Sequence, residues 1–307
     1  KKAWRRPLTE GEEKELDVLI TEKLKTSESK IYVLRDLLMA VFADTRFLFY
    51  SDVEQAQKMR NYELVSRLAA FLWRSAPDQR LFELAERENA ITDTELSAEV
   101  KRMLADARAE RFIADFAYSW TDLPKLDQIA VNPNYYRWWN PKYKDYMRQE
   151  PVAFMKTLLR EDLSCLNLLS SEFMVINDVM AKYYGVALPE SGHRFSRVPA
   201  SEGRGGILTQ AAFLLGHSDG EDAHAVNRGV WLRGRLLGDP PRDPPPEVPA
   251  LSDLDAADPN FAGLSTKERL SIHRKGICLD CHADIDPWGI AMESLDAAGK
   301  FRDKILR

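Results

Sequence analysis

The sequence predicts a mainly α fold, a larger helical domain followed by a small irregular and helical one. Three observations predict it. Apolar residues recur at helical spacing through the first two-thirds of the chain. Ser/Thr-x-x-Glu boxes, which satisfy the first orphan backbone N–H groups of a helix, precede several of those runs. After about residue 189 the composition turns to Gly, Pro and polar residues. These shifts divide the chain into a helical hairpin region (1–60), a helical domain (61–188) and a C-terminal domain (189–307) with a proline-rich strap at 239–249.

Thr9 and Glu12 open the first helix, in which Leu16, Leu19, Ile20 and Leu24 share a face. Val33, Leu34, Leu37, Leu38, Val41 and Phe42 mark a second helix. Leu64, Leu68, Phe71 and Leu72 mark a third, broken by Ser75-Ala76-Pro77-Asp78. Thr92 and Glu95 open the next, through Val100 and Met103, and Phe112, Phe116 and Trp120 continue the pattern. Each stripe is read as core. Tyr135, Tyr136, Trp138 and Trp139 crowd an irregular segment that either anchors a loop or stacks on sugar rings of a polysaccharide partner. Helical spacing resumes over 142–159, where Pro151 must kink or interrupt it, and a later helix ends at Tyr184 with Gly185 as its cap. Cys165 reads as a small buried hydrophobe.

Gly203, Gly205 and Gly206 open a short helix over 207–215, and the loop from His217 to His224 is acidic without the spacing of a calcium loop. A helix through Trp231 and Leu236 leads into Asp239-Pro240-Pro241-Arg242-Asp243-Pro244-Pro245-Pro246, a stiff extended strap. Ser265 and Glu268 cap the last helix before the motif that follows.

Composition narrows the possible functions. The 307 residues are 45% hydrophobic with a net charge of -5, which gives no reason to expect nucleic acid or an anionic membrane as partner. No apolar run is long enough to span a bilayer, and Lys1-Lys2-Ala3-Trp4-Arg5-Arg6 leads into an acidic helix and not an apolar signal core, so the sequence reads as the middle of a longer polypeptide. Three cysteines make no disulfide framework.

Two of those cysteines lie in Cys278-Leu279-Asp280-Cys281-His282. On a helix, residues three apart are neighbours, so both thiols could add to the vinyl groups of one haem while His282 reaches its iron. Other chemistries share the spacing. A structural zinc could take Cys278, Cys281 and His282 with His273. A redox dithiol would sit in a βαβ setting that the sequence does not show, and a short-range disulfide needs no cofactor.

The surrounding sequence resembles the planctomycete-type cytochrome c proteins, secreted polypeptides built from consecutive domains of unknown function. Trp4-Arg5-Arg6-Pro7-Leu8-Thr9 resembles the opening of one such domain. Tyr62 to Leu68, Phe71-Leu72-Trp73 and Ala76-Pro77-Asp78 resemble the next. Gly205 to Gln210, His224, Arg228-Gly229-Val230-Trp231, the strap, Cys278 to His282, Asp284 to Gly289, Glu293, Asp296, Gly299 and Arg302 resemble the third. Ala225 stands where that pattern has proline after the histidine, and Pro151 where it has another helix residue. The resemblance implies one covalent haem c, held by Cys278 and Cys281 with His282 as proximal ligand. The function expected of one covalent haem is electron transfer, in the periplasm or at the cell surface, with a redox partner protein or further domains of the same polypeptide. Two other readings stand beside it. One is a peroxidase- or oxygenase-type haem enzyme with an open sixth position. The other is a binding or structural module stapled by zinc.

For the second axial position His224 is the first candidate, since its loop, the following helix and the strap could return over the porphyrin. Met292 is the second, ten residues beyond His282 and within roughly 33 Å of extended reach. The tail after His282 is expected to fold back over the haem edge. Arg302 or Arg274 would there pair with a propionate, because a guanidinium fork matches a carboxylate.

Overall fold

The computed structural model describes residues 2–26, 29–50, 57–187, 192–243, 264, 266–273 and 278–302, without the side chains of Thr266, His273, Cys278 and Asp280. Arg274, Ser265 and most of the strap therefore lie outside the described residues. The fold is mainly α, with one small sheet among the described residues. Two compact units form, Lys1–Phe112 and Ile113–Arg307. This division differs from the composition shift near 189, because the helices that follow residue 113 pack on those beyond 204.

In the first unit, α1 (Glu10–Thr26) opens with the expected box: Glu12 N–H donates to Thr9 Oγ1 at 3.3 Å and Thr9 N–H to Glu12 Oε2 at 2.9 Å. α2 (Lys30–Ala43) packs against it, tied by Lys23 and Asp36 at 3.0 Å, and α3 (Thr45–Leu48) follows with Asp44 as its cap. The apolar stripe of this pair is not core. No residue of α1 and only Val33 of α2 is buried, while Leu24, Leu34, Leu38 and Phe42 are exposed.

The core lies between α4 (Gln57–Trp73), α5 (Gln79–Ala85) and α6 (Asp93–Ala105). Periodicity located α4 and part of its inner side: of the expected stripe Leu72 is buried and Leu68 packs on the core, but Leu64 and Phe71 are exposed, and Tyr62, Val65 and Ala69 face inward instead. Trp73 fixes that orientation. Its ring is fully buried, its Nε1–H donates to Met103 O at 3.0 Å, and the Arg108 guanidinium covers its face at 3.4 Å. The capping box of Thr92 and Glu95 at the start of α6 is present with both bonds.

The second unit begins within α7 (Ala109–Trp120) and continues through α8 (Lys125–Gln128) and α9 (Tyr143–Arg160). α9 runs unbroken through Pro151, which is buried in its interior. A 3-10 turn, Cys165–Leu168, holds Cys165 exposed, not buried, because the turn lies on the surface with Leu166 also outside. β1 (Phe173–Ile176) pairs antiparallel with β2 (Ser196–Pro199), Phe173 opposite Pro199. The helical reading of the sequence missed this short buried strand. Between the strands lies α10 (Asp178–Tyr184), closed by left-handed Gly185 as expected. Ile207–Thr209 is a 3-10 turn, Gln210 breaks it, and α11 (Ala211–Gly216) follows, wholly buried. Next come α12 (Ala225–Trp231), continued as a π-helix to Leu237, then α13 (Thr266–His273) and α14 (Cys278–Ile290).

The aromatic segment serves this core. Trp138 meets Tyr136, Trp139, Tyr143 and Tyr183, with the Lys300 ammonium 3.9 Å over its ring. At the heart of the unit Glu150 is 1% exposed. It accepts from Tyr184 Oη at 2.6 Å, and Tyr184 Oη accepts from Ala211 N–H at 2.8 Å. Burial pushes the Glu150 carboxyl up to about 8, only partly opposed by the Tyr184 bond and the Arg204 charge. The folded unit therefore holds a proton that the unfolded chain releases above its ordinary value of 4.5. Stability is predicted to fall as pH rises from about 4.5 to about 8, by a few kcal/mol. Glu150→Gln removes this dependence in denaturant unfolding measured across that range.

Candidate functional site

The site is built where α12 and α14 cross. α14 starts at Cys278, which sets Cys278 and Cys281 one turn apart on its first turn with His282 next. Cys281 is partly buried and in no disulfide. His282 is pinned from its own helix. Its Nδ1 lies 2.8 Å from Oδ1 of Asp286, one turn on, and Asp286 is 0% exposed. In the tautomer that donates from Nδ1 to this carboxylate, the ring lone pair is on Nε2. A metal-bound histidine commonly has its second nitrogen held this way. Sequence reasoning passed over Asp286, although its signal was present in the four-residue spacing from His282 on a helix.

Two glycines bring the helices together. A Cβ on Gly289 would run into the Ala225 carbonyl oxygen, and one on Gly229 into that of Ile285. The pairs 225/289 and 229/285 make the crossing antiparallel. His224, just before Ala225, is therefore at one end of the contact, and His282 lies seven residues before Gly289 toward the other, about 10 Å along the axis. The crossing thus sets the two candidate axial histidines toward its opposite ends. The His224 ring caps α12 instead, its Nδ1 accepting from Asn227 N–H at 3.3 Å, and burial lowers its affinity for a proton.

Arg228, between those glycine contacts, is fully buried and holds the tail. It donates to Met292 O at 3.0 Å, Leu295 O at 2.8 Å, Asp296 O at 2.8 Å and Leu214 O at 3.4 Å. Burial draws its pKa down to about 10, so it remains cationic at neutral pH. Met292 is buried in this turn, its carbonyl engaged by Arg228. The tail does fold back, and Arg302 ends it on two carboxylates. Its Nη2 lies 2.7 Å from Glu293 Oε2, its Nε donates to Glu293 O at 3.0 Å, and Nη1 pairs closely with Asp222. Asp222 also takes Arg269 at 3.1 Å. Burial alone would raise the Asp222 carboxyl, but the Arg302 and Arg269 contacts hold it below its ordinary value. The fork of Arg302 is thus committed to protein carboxylates.

Among the described residues no cluster of three His, Cys, Asp or Glu side chains could hold a metal, a set that leaves out the Cys278 and His273 side chains. The donor set at the head of α14 fits a haem. A partly buried thiol is followed by an imidazole whose Nδ1 is already engaged by a carboxylate, the arrangement an axial ligand needs.

Residues 59–186 match the family described as PSD4, protein of unknown function (DUF1592). Residues 204–305 match PSCyt3, protein of unknown function (DUF1588). Both are domains of the planctomycete-type cytochrome c proteins, in agreement with the sequence resemblance. No curated protein and no solved structure matches the chain.

The crossing makes a direct prediction. Gly289→Ala has no room for its methyl and is expected to cost about 1–3 kcal/mol. Hydrogen exchange should show it, with faster exchange in α12 and α14 and no change in α4 to α6.

Proposed function

We propose that the second unit is an exported mono-haem c-type cytochrome domain that transfers electrons. The observation that carries this reading is the head of α14, where a Cys-x-x-Cys-His sequence occupies one helical turn and a buried carboxylate fixes the histidine. Cys278 and Cys281 would hold the porphyrin through thioether bonds, and His282 would present Nε2 to the iron. Bound haem would supply one-electron redox chemistry. The chain's own part is to hold that group rigidly. The Gly229 and Gly289 contacts fix α14, and the Arg228 staple closes the tail beneath it. The two matched families, which typically occur in cytochrome c-containing multidomain proteins, support the same reading. A domain carrying covalent haem would work outside the cytoplasmic membrane. No helix among the described residues is long and apolar enough to cross one.

Protein matured in a host competent for haem c should keep one haem after acid–acetone extraction, read as intact mass and as a haemochrome spectrum. Haem extracted freely, with the mass of the bare chain remaining, overturns the proposal. Cys281→Ser should weaken or abolish attachment, and Cys165→Ser should leave haem content unchanged.

The second axial position separates electron transfer from enzyme chemistry, since a six-coordinate low-spin iron suits the first and an open position the second. The geometry supports a helix-cap role for His224, whose Nδ1 accepts from Asn227 N–H. His224→Ala is predicted to leave the ferric spectrum unchanged while lowering stability by about 1 kcal/mol through the lost cap. Conversion to a high-spin form that binds carbon monoxide would instead assign His224 to the iron.

A further inference from the structure

We propose that Asp286 is a positioning residue that sets both the orientation and the donor strength of His282, and thereby lowers the reduction potential of the haem. The inference rests on the haem reading above and deepens it. His282, Ile285, Asp286 and Gly289 fall at spacings of three and four and so share one face of α14. Gly289 and Ile285 are held there against α12 at the Ala225 and Gly229 contacts. Asp286 is thus locked on a face that cannot rotate, with no exposure to solvent. Its Oδ1 stands 2.8 Å from Nδ1 of a ring whose side chain is only 15% exposed.

A backbone carbonyl in that place would orient the ring as well, but it carries no charge. A carboxylate also draws the Nδ1 proton toward itself, which enriches the ring in electron density and makes Nε2 a stronger donor. A stronger donor favours the ferric over the ferrous state. Buried charge–imidazole contacts feel little of the screening that weakens exposed pairs.

The test uses the full chain with haem attached. Asp286→Asn keeps an acceptor at Oδ1 and removes the charge, whereas Asp286→Ala removes both. Both variants are expected to retain covalent haem. In Asp286→Asn the reduction equilibrium should shift about tenfold toward the ferrous form, a rise of about 59 mV for one electron. Asp286→Ala should show a comparable rise together with a broadened ferric spectrum from a ring no longer fixed. Reduction equilibrium constants within threefold of wild type in both variants would overturn the role of Asp286 and leave the haem assignment standing. Absence of covalent haem from the wild-type protein would instead remove the haem assignment itself. Should neither variant fold, the wild-type protein still decides. The NMR frequency of its His282 Nδ1 proton in the ferrous state should lie downfield of that in cytochromes whose proximal histidine donates to a carbonyl. A frequency equal to theirs overturns the proposal.

Discussion

The site depends on one close approach, that of α12 to α14 through Gly229 and Gly289. At each position a carbonyl of the partner helix occupies the space that a side chain would need. Packing this tight does not slide, because shifting the helices by one residue would set the glycines against side chains and the neighbouring side chains against backbone. Everything that defines the site follows from the fixed crossing. Asp286 is sealed under the helix, His282 is aimed by Asp286, and Arg228 is delivered to the carbonyls of Met292, Leu295 and Asp296.

Arg228 illustrates how the fold tolerates a fully buried cation. The guanidinium spreads its charge over several donors, and backbone carbonyl dipoles of the returning tail accept from both terminal nitrogens. Loss of one acceptor would leave a buried donor unsatisfied, at a cost of about 1–3 kcal/mol. The C-terminal turn is thereby tied to α12 as firmly as the helices are to each other. Next to it, Asp222 gathers Arg269 and Arg302, and Arg302 continues to Glu293. An arginine offered by the sequence for a haem propionate is used instead to close the tail, since two carboxylates already stand at hydrogen-bonding distance from its fork.

A similar economy holds for the histidines. His224 looks like an iron ligand in a one-dimensional pattern, yet its nearest task is local, a ring nitrogen accepting the Asn227 N–H at the start of α12. Asp286, by contrast, carries no mark of function in composition. Its four-residue spacing from His282 makes it a candidate, and its burial and distance to His282 single it out.

The sequence by itself determined what depends on near neighbours in the chain. The boxes Thr9/Glu12 and Thr92/Glu95, the left-handed Gly185 cap and the mainly helical character are local hydrogen-bonding and periodicity effects, and each stands in the structure. So does the placement of Cys278, Cys281 and His282 on one helical turn. Tertiary structure alone decided which side of each helix is inside. Trp73, bonded to Met103 and covered by Arg108, turned α4 so that Phe71 faces outward. The stripe of α1 and α2 stays exposed for the same reason, since an amphipathic pattern says that a face could be covered and not what covers it. Cys165 lies outside and Phe173–Ile176 forms a strand because long-range partners, not local preference, settle such short segments. The sequence could place a histidine beside two cysteines; only the packing of α12 on α14 could place a buried carboxylate beneath it.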